Sequence, residues 1–202
     1  MEDISIDCET LGNRFDAPVI AIGARVFDRR TGKLGKKLYT EVSIDSALKV
    51  SKPSASTIAW WIGKSPRAKA LFERPDTEKP SLATALLELN HFIRDEVGLM
   101  KARPWGNGAT ADITWLEHAF AMGGHGLTLP WDFRKIRDMR TIVDLAEDLT
   151  DWEQSSVKEV GVSHKADDDA TYQANVISSC YAALRGVGRA AVNKELEVED
   201  EL

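Results

Sequence analysis

The hydrophobic period of this chain changes near residue 57, and that change constrains the fold more than any other feature of the 202-residue sequence. Before it, short apolar and alternating runs at 3–8, 19–28 and 37–42 predict three β-strands. A glycine-containing turn at 30–32 joins the second and third runs, so the opening segment predicts an antiparallel meander. After the change, apolar residues recur at the three- and four-residue spacing that is typical of helices.

The remainder of the chain predicts helices interrupted by one strand. The predicted elements are a helix at 57–62, a second helix begun by Ser65 and Pro66, a helix at 82–97 capped by Ser81, a strand at 102–107, and helices at 112–122, at 141–149 and from Ala166 onward. No internal repeat or linker interrupts this series, which predicts one α/β domain over 1–187 with a central sheet flanked by helices. The last residues, 188–202, predict a solvated acidic tail.

Composition narrows the class of protein. Hydrophobic residues make up 43% of the chain, and no stretch approaches the roughly 18 apolar residues of a membrane span. The acidic N-terminal residues lack the pattern of a secretory signal, so we expect a cytoplasmic protein with no membrane partner. Cys8 and Cys180 have neither metal-binding nor disulfide spacing. A net charge of −6 argues against a polycation that coats nucleic acid, but not against a nucleic-acid enzyme with a carboxylate metal site.

Two acidic residues are predicted to share one face of the first strand. Side chains alternate along a strand, so Asp7 and Glu9 point to one side and Cys8 points to the other, into the core. Two such carboxylates can contact one metal centre or flank a pair of metal ions. With 32 acidic residues in the chain, an acid-x-acid triplet arises by chance about five times, so the pair alone does not identify a site.

A third acid, Asp112, stands at the predicted start of a helix and directly follows the glycine-rich segment 105–109. An aspartate in this position usually caps free backbone N–H groups. The flanking glycines also allow the backbone to approach a neighbour or ligand closely, which a simple cap does not require. Both interpretations stay open at this point.

A histidine precedes the final helix, and three acids occupy the first turn of that helix. Asp167, Asp168 and Asp169 can be explained by their favourable placement against the helix dipole. Alternatively, His164 on the incoming loop and an acid five residues later reach one site, where the imidazole accepts a proton near neutral pH. The five-residue offset favours Asp169, with Asp168 as the second choice.

Together, these patterns resemble the DEDDh group of 3′–5′ exonucleases, which have a ribonuclease H-like fold. All five signature positions are filled, by Asp7, Glu9, Asp112, His164 and Asp169. Further segments resemble the branch that contains exodeoxyribonuclease VIII, phage-type 3′–5′ exodeoxyribonucleases and the mycobacterial RNase AS; they are 21–24, 57–61, 105–109, 137–141 and 164–170. The chain departs from that branch at Asp167, where an aliphatic or other residue is usual.

The resemblance implies a metal-dependent enzyme that releases nucleoside 5′-monophosphates from the 3′ end of nucleic acid, with DNA favoured. It implies two Mg²⁺ or Mn²⁺ ions, a hard-cation choice that an all-carboxylate donor set also favours. In the implied arrangement Asp7 bridges both ions, Glu9 and Asp169 complete one centre, Asp112 helps the other, and His164 is the general base. Many relatives are dimers, so a homodimer is a further expectation.

Substrate contacts are predicted less directly. By similarity, the backbone at Thr10, Leu11 and Gly12 lies beside the terminal nucleotide of a single-stranded or 3′-ended nucleic acid. The other candidates, each of which has a structural explanation as well, are Trp61 and Trp105 for base stacking, Asn107 beside the substrate, and Arg140 for a phosphate. Of the adjacent Trp60 and Trp61, we expect only one to face inward.

Two alternatives share this pattern. An exoribonuclease such as RNase T, RNase AS or an oligoribonuclease would use the same catalytic groups and differ only in how it treats the 2′-hydroxyl. A non-catalytic nucleic-acid-binding module could occupy the same fold. Other chemistries are disfavoured, because the sequence has no Gly-x-Ser-x-Gly, phosphate-loop or His-Glu-x-x-His motif.

Overall fold

The fold is built on a five-stranded mixed sheet with the strand order β3-β2-β1-β4-β5. A computed structural model describes the backbone of residues 1–199 and the side chains of residues 1–186. The strands are β1 Asp3–Thr10, β2 Val19–Phe27, β3 Leu34–Glu41, β4 Arg103–Gly106 and β5 Arg137–Asp138. The first three strands pair antiparallel, whereas β4 pairs parallel with both β1 and β5. The predicted α/β class, with a mixed sheet and an antiparallel opening meander, is confirmed.

Six α-helices accompany the sheet in the described part of the chain: α1 Ile44–Leu48, α2 Ala55–Ile62, α3 Leu82–Glu96, α4 Asp112–Gly123, α5 Met139–Leu149 and α6 Ala166–Glu199. The predicted cap of α3 is present, because the Ser81 side chain accepts a hydrogen bond from the Thr84 amide. The helix predicted after Ser65 is wrong: that segment forms only a 3₁₀ turn at Ala68–Phe72. Two short elements, α1 and β5, were not predicted, because five- and two-residue elements are too short to show a hydrophobic period.

The alternation of side chains along β1 divides the molecule into two layers. Ile4, Ile6 and Cys8 enter a core shared with α3 and α4. On the opposite face, Ser5 and Asp7 form hydrogen bonds to a side chain of α6. A second core joins α5 and α6 against the sheet. The polar face of β1 is therefore brought against the start of the last helix.

Helix α6 continues to Glu199, so the backbone of most of the acidic C-terminal segment is helical. The side chains of 187–202 lie outside the described residues, and the predicted solvated tail at 188–202 stays a prediction. Within the described residues, no helix combines the length and apolar character that crossing a membrane requires. The cytoplasmic location also stays a prediction.

Candidate active site

Three carboxylates from two distant parts of the chain meet at one point. One oxygen each of Asp7, Glu9 and Asp169 lies within 4.8 Å of the other two. Strand β1 supplies the first two from the same face, and the first turn of α6 supplies the third. The meeting depends on Gly23, which pairs with Asp7 in the sheet. A Cβ at Gly23 would lie 2.0 Å from the Ala166 carbonyl carbon, so only glycine allows α6 to begin against the strand.

Asp112 lies beside this group but has different partners. Its carboxylate accepts hydrogen bonds from the backbone amides of Cys8 and Asn107, each at 3.1 Å. The residue at the cap position of α4 is Ala111, and no side chain caps that helix. Asp112 therefore ties the ends of β1 and β4 to α4 instead of capping its own helix. It is 4% exposed and lines the same cleft as the three clustered carboxylates.

Burial and mutual repulsion set the charge state of these acids. Burial raises the pKa of Glu9 to about 8, with further contributions from Asp169 and Asp112 and a partial offset from Lys64. Burial, followed by the charges of Asp112 and Glu9, also raises the pKa of Asp7 well above its ordinary value. Burial raises the pKa values of Asp112 and Asp169 to about 6. The amide hydrogen bonds that each carboxylate accepts lower its pKa and so offset part of this increase.

The donor set fits a divalent cation. Glu9 Oε1 is buried and has no hydrogen-bond partner among the described residues, so one carboxylate of the cluster has an oxygen without the donor that a buried carboxylate normally has. The three groups that meet offer only carboxylate oxygens, the ligands that Mg²⁺ and Mn²⁺ prefer. A bound cation would replace the repulsion among them with attraction.

Gln173 belongs to the site and was not predicted. Its Nε2 donates a hydrogen bond of 2.7 Å to Asp7 Oδ1, and its Oε1 accepts one of 3.1 Å from the Ser5 hydroxyl. A signal for it exists in the sequence, because Gln173 follows Asp169 by four residues and so lies on the same face of α6.

His164 enters the site from the loop at 157–165. Its backbone amide donates to Asp169 Oδ2 at 2.8 Å, and its φ of 66° is in the left-handed region. The imidazole contacts the Trp60 ring edge to face, with 5.0 Å between ring centroids. Burial and the nearby charge of Lys64 lower the pKa of His164, which favours the neutral ring that can accept a proton.

The three successive aspartates of α6 have three different partners. Asp167 is buried and forms ion pairs with Lys37 at 2.6 Å and Lys165 at 2.9 Å. Asp168 accepts a hydrogen bond of 3.0 Å from the Val162 amide. Asp169, not Asp168, joins the three-carboxylate group.

The tryptophans are placed differently from the prediction. Trp105 is 2% exposed, belongs to the core beneath α5 and α6, and donates to Asp3 Oδ1, so its predicted stacking role is corrected: it has no free face. Trp61 is 3% exposed and donates to the Thr10 carbonyl. Of these three tryptophans, Trp60 has the exposed indole, at 44%. As expected, one of the adjacent pair faces inward.

The other predicted substrate residues border two adjoining clefts. The first, of about 350 Å³, contains the acidic group and is lined also by Asn107 and by the exposed Arg140. The second, of about 390 Å³, is lined by Glu9, Thr10, Gly12 and Trp60. Leu11 is buried in a small core with Trp61, so only its backbone can face a ligand.

Solved structures of nucleases share this fold. The nuclease domain of 3′hExo, a DEDDh family member bound to rAMP, is 14% identical with a TM-score of 0.54, over 88% of this chain and 90% of that one. The Mg²⁺- and Mn²⁺-bound form of S. pombe Pop2p is 15% identical with a TM-score of 0.56, over 88% and 82%. Exonuclease I is 13% identical with a TM-score of 0.61, over 91% and 43%. None of the curated protein sequences compared with the chain matches it.

The fold is that of solved nucleases of the DEDDh family, and the family match makes the chain a 3′–5′ exonuclease. More narrowly, it belongs to the Rv2179c-like 3′–5′ exoribonuclease domain family, whose model matches residues 2–181. The predicted DEDDh resemblance and the predicted enzyme class are thereby confirmed. The narrower branch with exodeoxyribonuclease VIII and RNase AS, and the homodimer, stay predictions.

Proposed function

We propose that this enzyme removes nucleotides from the 3′ end of single-stranded nucleic acid as nucleoside 5′-monophosphates, with two divalent metal ions at the acidic cluster. The observation that carries the proposal is the meeting of Asp7, Glu9 and Asp169 in one cleft beside His164. Asp7, Glu9 and Asp169 would hold the ions, and Asp112 would contribute to the second centre. When bound, Mg²⁺ or Mn²⁺ lowers the pKa of a water nucleophile and stabilises charge on the leaving 3′ oxygen.

His164 would act as the general base. His164 lines the acidic cleft, and the lowered pKa keeps the imidazole neutral near pH 7. A neutral ring nitrogen can take the proton of the attacking water, a contribution of about 10² to 10⁴ in rate. The amide hydrogen bond to Asp169 keeps the imidazole near the carboxylates at which the water is activated.

Two basic side chains near the site would bind the phosphates of the strand. Arg140 is exposed and lines the acidic cleft, next to the loop at 107–111, in which the Ala109 amide donates a hydrogen bond to Asp138. Lys64 lies beside Trp60, with its Nζ 3.8 Å from the centre of that ring, and its charge acts on Glu9 and His164. The exposed Trp60 ring offers a surface on which a base can stack, and stacking of this kind contributes about 1 to 3 kcal/mol per base.

We propose RNA as the preferred polymer. The family description names exoribonucleases, and one neighbour of the same fold is described with rAMP bound. The resemblance to exodeoxyribonucleases favours DNA, which remains the second candidate. The two differ in the 2′-hydroxyl, a donor and acceptor that a pocket can select for.

A degradation assay tests the proposal. Single-stranded RNA and DNA of the same sequence, each labelled at the 5′ end, would be incubated with the enzyme in Mg²⁺, in Mn²⁺ and in chelator. We expect a ladder of products shortened from the 3′ end, release of 5′-monophosphates, dependence on metal, and faster shortening of RNA. Equal or faster shortening of DNA would reverse the polymer assignment. If neither polymer is shortened, or if shortening continues in chelator, the proposed mechanism is wrong.

A further inference from the structure

The loop that carries His164 is attached to α6 by two neighbouring aspartates. Asp168 Oδ2 accepts the Val162 amide at 3.0 Å, and Asp169 Oδ2 accepts the His164 amide at 2.8 Å. Two consecutive carboxylates thus hold alternate amides of the loop at 157–165. Of the two, only Asp169 belongs to the carboxylates assigned to metal ions. The hydrogen bond between Asp168 and the Val162 amide therefore does not depend on the metal.

The loop is shaped to fit Asp168. Gly161 has a φ of 72°, and a Cβ at that position would lie 2.3 Å from the Asp168 carboxylate. A side chain at residue 161 would therefore displace the carboxylate and strain the backbone. The two lysines nearest to Asp168, Lys37 and Lys165, are each 3.8 Å away, beyond hydrogen-bond distance. The Val162 amide is thus the closest partner of this carboxylate.

A fixed loop is needed because of the backbone of His164. A residue other than glycine with a φ of 66° is strained, and such a conformation persists only where the surroundings hold it. The Asp168 bond fixes the loop two residues before that strained position.

We propose that Asp168 is a positioning residue, which holds the loop at 157–165 so that the His164 imidazole faces the acidic cluster. The inference rests on the proposed role of His164 as general base. Asp168 itself touches neither substrate nor metal in this account. It acts through the loop backbone, so an acceptor oxygen is what the position requires, not a negative charge.

Variants at residue 168 separate these two requirements. Asp168→Ala removes the acceptor, and we expect kcat to fall about 10- to 100-fold with KM and Mn²⁺ affinity unchanged, because small misplacements of a catalytic group are costly. Asp168→Asn keeps an acceptor oxygen, and we expect it to restore kcat to within about threefold of the wild type. Gly161→Ala should reproduce the loss seen in Asp168→Ala.

Asp167→Asn is the matched control, since it lies in the same helical turn but is paired with lysines. We expect this variant to lower the melting temperature and to leave kcat within about threefold of the wild type. In Asp168→Ala, hydrogen exchange of the Val162 and His164 amides should become faster. The double variant His164→Ala/Asp168→Ala should be no slower than His164→Ala, because residues that act through one group are not additive.

Wild-type kcat in Asp168→Ala, while His164→Ala is impaired, would overturn the positioning role. A loss in Asp168→Asn equal to that in Asp168→Ala would also overturn it, because charge would then be the requirement. If His164→Ala keeps full activity, the proposed base is wrong. Amide exchange in Asp168→Ala then tests the role of Asp168 independently. Faster exchange at Val162 and His164 supports the conclusion that Asp168 fixes the loop, and unchanged exchange excludes it.

Discussion

Gln173 Nε2 on α6 donates a hydrogen bond of 2.7 Å to Asp7 Oδ1 on β1, across 166 residues of sequence. The amide is oriented in turn by the Ser5 hydroxyl, which donates to Gln173 Oε1. This pair of bonds fixes the rotation of the Asp7 carboxylate, which faces the other acids of the cleft. The bond from Gln173 also stabilises the ionised form of Asp7 against the burial that raises its pKa.

Gln173→Leu should weaken binding of Mn²⁺ about 10- to 100-fold, because partners that orient metal ligands typically contribute that much affinity. Isothermal titration with Mn²⁺ measures the change. Ser5→Ala, which removes only the group that orients Gln173, should have a smaller effect in the same direction. An affinity equal to that of the wild type in Gln173→Leu would show that the bond to Asp7 does not matter for the metal.

Asp7→Ala should abolish turnover and leave the protein folded. The substitution removes a proposed metal ligand, and it also removes one of several carboxylates that repel each other without metal. In chelator we therefore expect a melting temperature equal to or above that of the wild type. Unfolding of Asp7→Ala, checked by circular dichroism, would instead make Asp7 a structural residue.

His164→Ala should lower kcat by about 10² to 10⁴ because it removes the proposed general base. The metal-binding carboxylates stay in place, so calorimetry with Mn²⁺ should show an affinity close to that of the wild type. A large loss of Mn²⁺ affinity in this variant would contradict the role of base.

The adjacent tryptophans should behave differently. Trp61→Ala should cost about 3 to 5 kcal/mol of unfolding free energy, since the ring is buried and its N–H is bonded to Thr10. Trp60→Ala should leave thermal stability nearly unchanged and raise KM roughly 5- to 150-fold, the equivalent of one lost stacking contact. Trp60→Phe, which keeps an aromatic face, should recover most of the affinity. Unchanged KM in Trp60→Ala would exclude stacking.

Without metal, the contribution of the acidic cluster to stability should fall as pH rises. The acidic cluster has raised pKa values, about 8 for Glu9 and about 6 for Asp112 and Asp169, so the folded protein binds more protons than the unfolded chain between about pH 4 and 8. The stabilising contribution of these groups is fully present below about pH 4, and it is lost as pH rises through their pKa values in the folded state. Stabilisation by Mg²⁺ should grow over the same range, because the ligands must be deprotonated.

Thermal unfolding at about pH 6 and pH 8.5, with chelator and with Mg²⁺, measures both trends; each 1 kcal/mol corresponds to about 2 to 4 °C for a chain of this size. Glu9→Gln is the control, because it removes the group with the pKa of about 8 and should flatten the decline in chelator. A melting temperature in chelator that rises with pH by the same amount in both proteins would contradict the raised pKa of Glu9.

Local patterns predicted much of the fold. The three opening strands, α3 with its Ser81 cap and the shared face of Asp7 and Glu9 all follow from periods and caps that extend over a few residues. The prediction of a helix after Ser65 was wrong because it also depended on a local signal alone. A good local start does not ensure the packing that sustains a helix.

The residues that could form this site can be recognised without a structure, because strand alternation and helical spacing are properties of neighbouring residues. The folded structure was needed to show that Asp112 binds the backbone amides of Cys8 and Asn107, that Trp60 and not Trp105 is exposed, and that Asp168 accepts the Val162 amide. Those assignments depend on contacts between segments far apart in the chain. Such contacts are set by how the helices settle on the sheet, as where Gly23 lets α6 approach β2, and no local period encodes them.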